Sequence, residues 1–195
     1  LVHVWYTCVV ACDCDDVDAF EDNDGAVDSD DSDDNNEFVC SDDDGDTCDD
    51  CSDGSYGLDD DGFDYDGDGA CDAGDGAPWG EVDLAFENVT VNSADLSYSS
   101  DVDIYGFQFN HDGCALGASG GDAVANGFTI SGSSNIVLAF SFSGSFIPAG
   151  SGTLLDLGSA CETISDLVFA GDIGVELEAE LVDGGGDSVS ALGEF

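Results

Sequence analysis

The sequence predicts a mainly β protein: an antiparallel, jelly-roll-like β-sandwich over residues 78–183, preceded by an irregular acidic region over residues 13–77. Three observations predict it. After Pro78, apolar and polar residues alternate with a period of two in several stretches. Those stretches are separated by Gly, Ser, Asn and Asp turns at regular spacing, the pattern of a sandwich. No stretch carries the three-to-four spacing of an amphipathic helix.

The elements follow in order. Residues 1–12, "LVHVWYTCVVAC", are apolar and β-prone, and read as one strand. This stretch is too short to span a bilayer. It can pack on the chain's own sandwich, or it can complete the open edge of a neighbouring subunit as a donor strand, which would build a head-to-tail homopolymer. Residues 13–77 form the acidic region. Within 78–183, "EVDLAFENV" turns Val82, Leu84 and Phe86 to one face. Asp95–Ser99 is a short strand. "VDIYGFQF" places Val102 and Ile104 together, and Gly106 shifts the phase before Phe107 and Phe109, as a bulge does. Phe128–Ser131 follows. "NIVLAFSFSG" places Ile136, Leu138, Phe140 and Phe142 together. Thr153–Leu157 and Thr163–Phe169 are two more strands. "GVELEAELV" turns Val175, Leu177, Ala179 and Leu181 inward and Glu176, Glu178 and Glu180 outward. Residues 184–195 open on "GGGD" and read as a tail or linker.

Charge is the second constraint. The 195 residues include 46 Asp and Glu and no Lys or Arg, a formal charge of -46. Of these acids, 28 lie between Asp13 and Asp75. Repulsion at that density opposes a compact state, so a cation from outside is needed if the region folds. Direct contact with nucleic acid is excluded, because no side chain can neutralise phosphate. An anionic membrane surface is excluded for the same reason, and no apolar run is long enough for insertion. The chain has no Met, so Leu1 is expected to mark processing or the edge of a fragment.

Nine cysteines point to an oxidised, extracellular or cell-surface setting. Zinc is the competing use, but Cys48-x-x-Cys51 has no second matching pair and no nearby His. Cys114 and Cys161 are the only two in the β region, and a disulfide between them is the simple reading. Nine is odd, so one cysteine has a different fate.

The acid also has a register. "DYDGDGACDAGD" places Asp64, Asp66, Asp68, Gly69, Asp72 and Asp75 at positions 1, 3, 5, 6, 9 and 12 of a calcium loop, with the carbonyl of Ala70 at position 7. Calcium takes six to eight oxygen ligands, and carboxylates at alternate positions of a curled loop converge on one point. A second copy places Asp42, Asp44, Asp46, Asp50 and Asp53 in the same register, with Thr47 at the glycine position and Cys48 at position 7. A third places Asp22, Asp24, Gly25, Asp28 and Asp31 at positions 3, 5, 6, 9 and 12, with Phe20 at position 1. Two or more calcium ions are therefore expected. A merely solvated acidic surface would account for the acid, not for the register, the glycines or the cysteines.

This array, without helices between the loops, resembles thrombospondin type 3 repeats, and the single loop resembles dockerin loops. The resemblance covers residues 22–75 and implies a chain wrapped around bound calcium and stapled by disulfides. Cys51 and Cys71 flank its best segment and are candidates for such a staple. "FSFSGSFIPAGSGTLLDL" and "LSYSSDVDIYGFQF" are similar to cohesin strands. That likeness implies a sandwich used for attachment between extracellular proteins.

Catalysis is not expected. "GASGG", Gly117–Gly121, matches the nucleophile-elbow pattern, but that elbow needs a following helix and a downstream His. His3 and His111 read as strand or surface residues. Asn88-Val89-Thr90 is a glycosylation sequon and equally an ordinary strand segment. The functional expectation is a non-enzymatic, calcium-stabilised structural protein of a surface filament, fibre or adhesin. The alternative is a cohesin-like or carbohydrate-binding module. Its partners are expected to be other copies of itself, a glycan or other surface proteins.

Overall fold

The computed structural model describes residues 22–59, 61–161 and 163–182. The expected N-terminal strand and C-terminal tail lie outside these residues. The chain divides into two compact units, Leu1–Asp64 with Gly69–Asp75, and Tyr65–Asp68 with Gly76–Phe195.

The second unit is mainly β. Its strands are β1 (Glu81–Thr90), β2 (Ser93–Ser100), β3 (Gly106–His111), β4 (Thr129–Gly132), β5 (Ile136–Phe140), β6 (Gly150–Asp156), β7 (Ile164–Ala170) and β8 (Glu176–Leu181). They form one curled sheet in the order β4-β5-β3-β7-β8-β1-β2-β6. Each strand expected within residues 78–183 is present to within a few residues. One pairing differs from the antiparallel expectation. β1 and β8 run parallel, from Glu81↔Glu178 to Leu84↔Leu181, so the sheet is mixed. Hydropathy alternation fixes which face of a strand is buried but says nothing about the direction of its neighbour.

The core gathers the inward residues of nearly every strand. Val82, Leu84, Leu96, Phe109, Ile164 and Phe169 are fully buried or nearly so. The Phe107 ring stacks near Phe169, Phe128 and Phe109, with centroids at 5.4, 6.3 and 6.5 Å. In β6 both Leu154 and Leu155 are buried, because the register against β2 slips between Leu96 and Ser97 and leaves Leu154 as the extra residue of a bulge. A disulfide joins Cys114 to Cys161, as the sequence suggested.

β5 reverses the expected face. Val137 and Ala139 are buried, whereas Ile136 and Phe140 are half-buried and Leu138 and Phe142 are 39% and 85% exposed. The reason is volume. Ala139 and Val137 sit opposite Phe107 and Phe109 of β3, and only small side chains fit beside those rings. β5 ends at Phe140, so Phe142 is not a strand residue.

A helix that the sequence did not suggest, α1 (Gly121–Ala125), follows the "GASGG" stretch. Its glycine serves packing. Gly121 has φ +62°, and a Cβ there would collide with the Leu154 carbonyl. Ser119 exchanges two 2.8 Å backbone bonds with Asp156. His111 closes β3, with Nδ1 accepting from the Gly113 and Ala115 amides. Asn88 is exposed at a bulge of β1 and donates its side-chain amide to Asp95.

Candidate metal centres

The first unit has no strand or helix among its described residues. Carboxylates replace the missing ladder. Asp24 accepts from the Ala26 amide at 2.7 Å, Asp46 from Cys48 at 2.8 Å and Asp49 from Cys51 at 3.0 Å, each two residues on. These local turns are what short acidic side chains favour over regular structure. Two disulfides close the unit, Cys40–Cys51 and Cys48–Cys71. The expected Cys51–Cys71 staple is therefore replaced by two interleaved bridges. Flanking position in sequence pairs the wrong partners, since Cys40 meets Cys51 across the loop they enclose. All four sulfurs are consumed, which removes the Cys48-x-x-Cys51 zinc reading. Cys40 and Cys51 pack with Ala26 in a small buried cluster.

The loop register is visible in the backbone. Position 6 of each loop has positive φ: Gly25 at +107°, Thr47 at +80° and Gly69 at +94°. Glycine takes this conformation freely, whereas a β-branched residue adopts it against its preference. Thr47 thus keeps the turn that its two counterparts make with glycine. Its hydroxyl donates to the Cys71 carbonyl.

Three groups of carboxylates bring oxygens within 4.8 Å of one another in the expected register: Asp22, Asp24 and Asp31; Asp42, Asp44 and Asp46; and Asp64, Asp66 and Asp68. Asp28 is half-buried in the first of these loops. In the last loop, the Gly69 amide donates to Asp64 at 3.1 Å. Asp72 and Asp75 shape its backbone through 2.8 Å and 3.0 Å bonds to the Phe63 and Cys71 carbonyls, with Ala70 half-buried between. Their carboxylates lie outside the group of three.

A fourth group was not anticipated. Asp44, Asp50 and Asp61 also converge within 4.8 Å. Asp53, the expected closing ligand of the second loop, is exposed and accepts from the amide and hydroxyl of Ser55 instead. Asp61 comes from 17 residues beyond Asp44, and the sequence does carry a signal for it. "DDDG" occurs at Asp42–Gly45 and again at Asp59–Gly62. Gly62 permits the approach, because a Cβ there would fall on the sulfurs of Cys48 and Cys71.

The electrostatics are those of anions without a counter-charge. Asp50 is fully buried and Asp61 is 6% exposed. Asp50 Oδ2 accepts from the Ser41 hydroxyl at 2.8 Å and the Asp43 amide at 2.9 Å. Among the described residues, Asp50 Oδ1 and Asp61 Oδ2 have no hydrogen-bond partner, and neither do Asp22 Oδ2, Asp24 Oδ2 and Asp28 Oδ1. Burial raises the Asp61 carboxyl above its usual range, and Asp46, Asp44 and Asp50 raise it further. Burial likewise raises Asp31. The Asp33 amide opposes that rise, while Asp24, Asp22 and Asp34 add to it. An unpartnered buried carboxylate oxygen costs several kcal/mol unless a cation or proton meets it. The donor sets of these four carboxylate groups are all oxygen, and they can hold a hard metal ion.

Comparison with known proteins gives no further guide: no family model, curated protein or solved structure matches the chain. Among the described residues, no helix is long and apolar enough to cross a membrane.

Proposed function

We propose that this is a non-enzymatic, calcium-stabilised extracellular structural protein, a subunit of a surface filament or fibre or a segment of an adhesin. In this reading residues 22–75 are thrombospondin type 3-like repeats, and the β unit is a cohesin-like, jelly-roll-like sandwich. The observation that carries the reading is the group of buried oxygens of Asp22, Asp24, Asp28, Asp50 and Asp61 that have no hydrogen-bond partner among the described residues, in a chain that has no Lys or Arg to meet them. Calcium suits the loops better than magnesium. Flexible loops can wrap the larger ion with many protein oxygens, whereas magnesium keeps an octahedral shell with several waters. Bound calcium supplies the missing positive charge, so its binding free energy becomes folding free energy. The aspartates converge, the disulfides limit how far the loops can open, and the β unit supplies a packed domain for attachment. Chelator should increase the hydrodynamic radius and expose residues 22–75 to protease. Unchanged radius and cleavage in chelator would reject the reading.

A carbohydrate-binding role is the second reading. It is favoured by a groove of about 440 Å³ beside β1, β2 and β6, lined by Asp83, Glu87, Ser97, Ser99 and Thr153. Saturable binding to a glycan, with only discrete particles in electron micrographs of the native material, would favour it over the filament.

A further inference from the structure

A second recess in the β unit has a different chemistry. It encloses about 310 Å³, and its lining includes Tyr65, Trp79, Tyr105, Asp101, Asp103 and Asp172. Tyr65 meets Trp79 edge to face, with ring centroids 5.0 Å apart. Tyr105 is braced from outside the recess by Phe146 at 5.2 Å. Each carboxylate is fixed by a backbone amide on Oδ1: Asp101 by Glu81 at 2.9 Å, Asp103 by Ala149 at 2.9 Å and Asp172 by Ile173 at 2.7 Å. Three aromatic rings and three positioned anions thus face one small volume.

We propose that this recess binds a primary alkylammonium group, the chemistry shared by a lysine side chain and an aliphatic diamine. The balance of donors and acceptors decides the class. Ionised carboxylates only accept, and an ammonium brings three donors and no acceptor. A neutral sugar brings acceptors as well, and the only side-chain donors of the lining are the Tyr65 and Tyr105 hydroxyls and the Trp79 indole N–H, against three acceptor-only carboxylates. Aromatic walls attract a cation through their faces and cover an alkyl stem. Burial raises the Tyr105 phenol above its usual range, and Asp172 and Asp103 raise it further. It therefore stays neutral at physiological pH, and the negative charge facing the ligand belongs to the three aspartates. The field of a chain at -46 concentrates cations and repels anions. The chain contains no lysine of its own to fill the recess.

The test is isothermal titration calorimetry of the full chain, with calcium saturating and salt at physiological strength. The titrants are 1,5-diaminopentane, N-acetyl-lysine methylamide, the neutral N-acetyl-norleucine methylamide and methyl glucoside. Saturable one-site binding of either ammonium compound, with none of the two neutral ones, is expected. Tighter binding of the lysine compound identifies a polypeptide partner, and tighter binding of the diamine a small-molecule ligand. Trp79→Ala should weaken binding on the order of tenfold. Asp103→Asn should weaken it comparably. This second change removes the charge but retains a side-chain oxygen for the Ala149 amide, so loss of fold is not the explanation, and a thermal melt verifies this. Binding that both variants leave unchanged, equal binding of the norleucine compound, or no saturable binding of any ammonium overturns the proposal. Because calcium is present throughout, failure here leaves the chelator result untouched, and the reverse holds as well.

Discussion

Asp61→Asn should have opposite effects with and without calcium. In the ion-free chain, the oxygens of Asp44, Asp50 and Asp61 lie within 4.8 Å of each other. At that separation, two unit charges repel by about 3.5 kcal/mol at an effective dielectric of 20 and about 1 kcal/mol in bulk water. Asp50 and Asp61 are both buried, so their pair belongs near the first figure. Asp44 faces solvent, so its pair with Asp61 belongs near the second. Removing the Asp61 charge therefore relieves about 4 kcal/mol at neutral pH. The buried amide left behind returns about 1–3 kcal/mol of that. The net expectation in chelator is a gain of roughly 1–3 kcal/mol. With calcium saturating, the same change deletes an anionic ligand and should weaken binding on the order of 10²-fold. Asp53→Asn is the control. By register it closes the second loop, but in the structure it only holds Ser55, so it should change calcium affinity little. Urea unfolding of both variants in chelator and in millimolar calcium measures each quantity. The reasoning fails if Asp53→Asn weakens calcium more than Asp61→Asn does, or if Asp61→Asn destabilises the ion-free chain.

Three further outcomes are expected. Gly62→Ala places a Cβ on the Cys48–Cys71 sulfurs, so free-thiol titration of the purified variant should detect more thiol than in the parent. Replacing Cys114 and Cys161 with Ala opens a closure spanning 47 residues; the chain-entropy estimate is a loss of about 4 kcal/mol, read by denaturant unfolding of the β unit. Tyr56, Tyr98 and Tyr105 should ionise late in an alkaline absorbance titration: a hydrogen bond to Asp43 leads for Tyr56, and burial leads for Tyr98 and Tyr105. Their folded pKa values are raised, so the stability they contribute is full below the ordinary phenol value of about 10 and is lost as pH climbs through the raised ones. Midpoints at or below the ordinary value would contradict this.

Strand positions were legible because one buried face imposes period two, as in β8, where Leu177 is buried and Glu176, Glu178 and Glu180 are exposed. β5 misled because both of its faces are apolar, and the side that wins is set by the rings of β3 rather than by its own pattern. The parallel β1–β8 pair joins strands nearly a hundred residues apart, a distance over which local pattern is silent. Much of the loop register was legible because ligand spacing is a local property, and even Thr47 obeys the backbone it implies. Asp61 and the disulfide partners of the acidic region were not, because each depends on where a distant part of the chain returns. Only the repeated "DDDG" hinted at the former.

The parallel pairing of β1 with β8 also has a mechanical consequence. The chain enters β1 after Gly80 and leaves β8 at Val182, and the two strands point the same way, so entry and exit lie at opposite ends of the pair. Tension applied through the backbone at those two points slides the strands lengthwise past each other. The bonds between them run from Glu178 N–H to the Gly80 carbonyl at 3.0 Å through to Val182 N–H on Leu84 at 2.7 Å. Evenly spaced bonds of this kind are loaded together under shear, and no end is offered from which they can be peeled one at a time. The first and last of the described strands thereby form a clamp that resists stretching along the chain's own path.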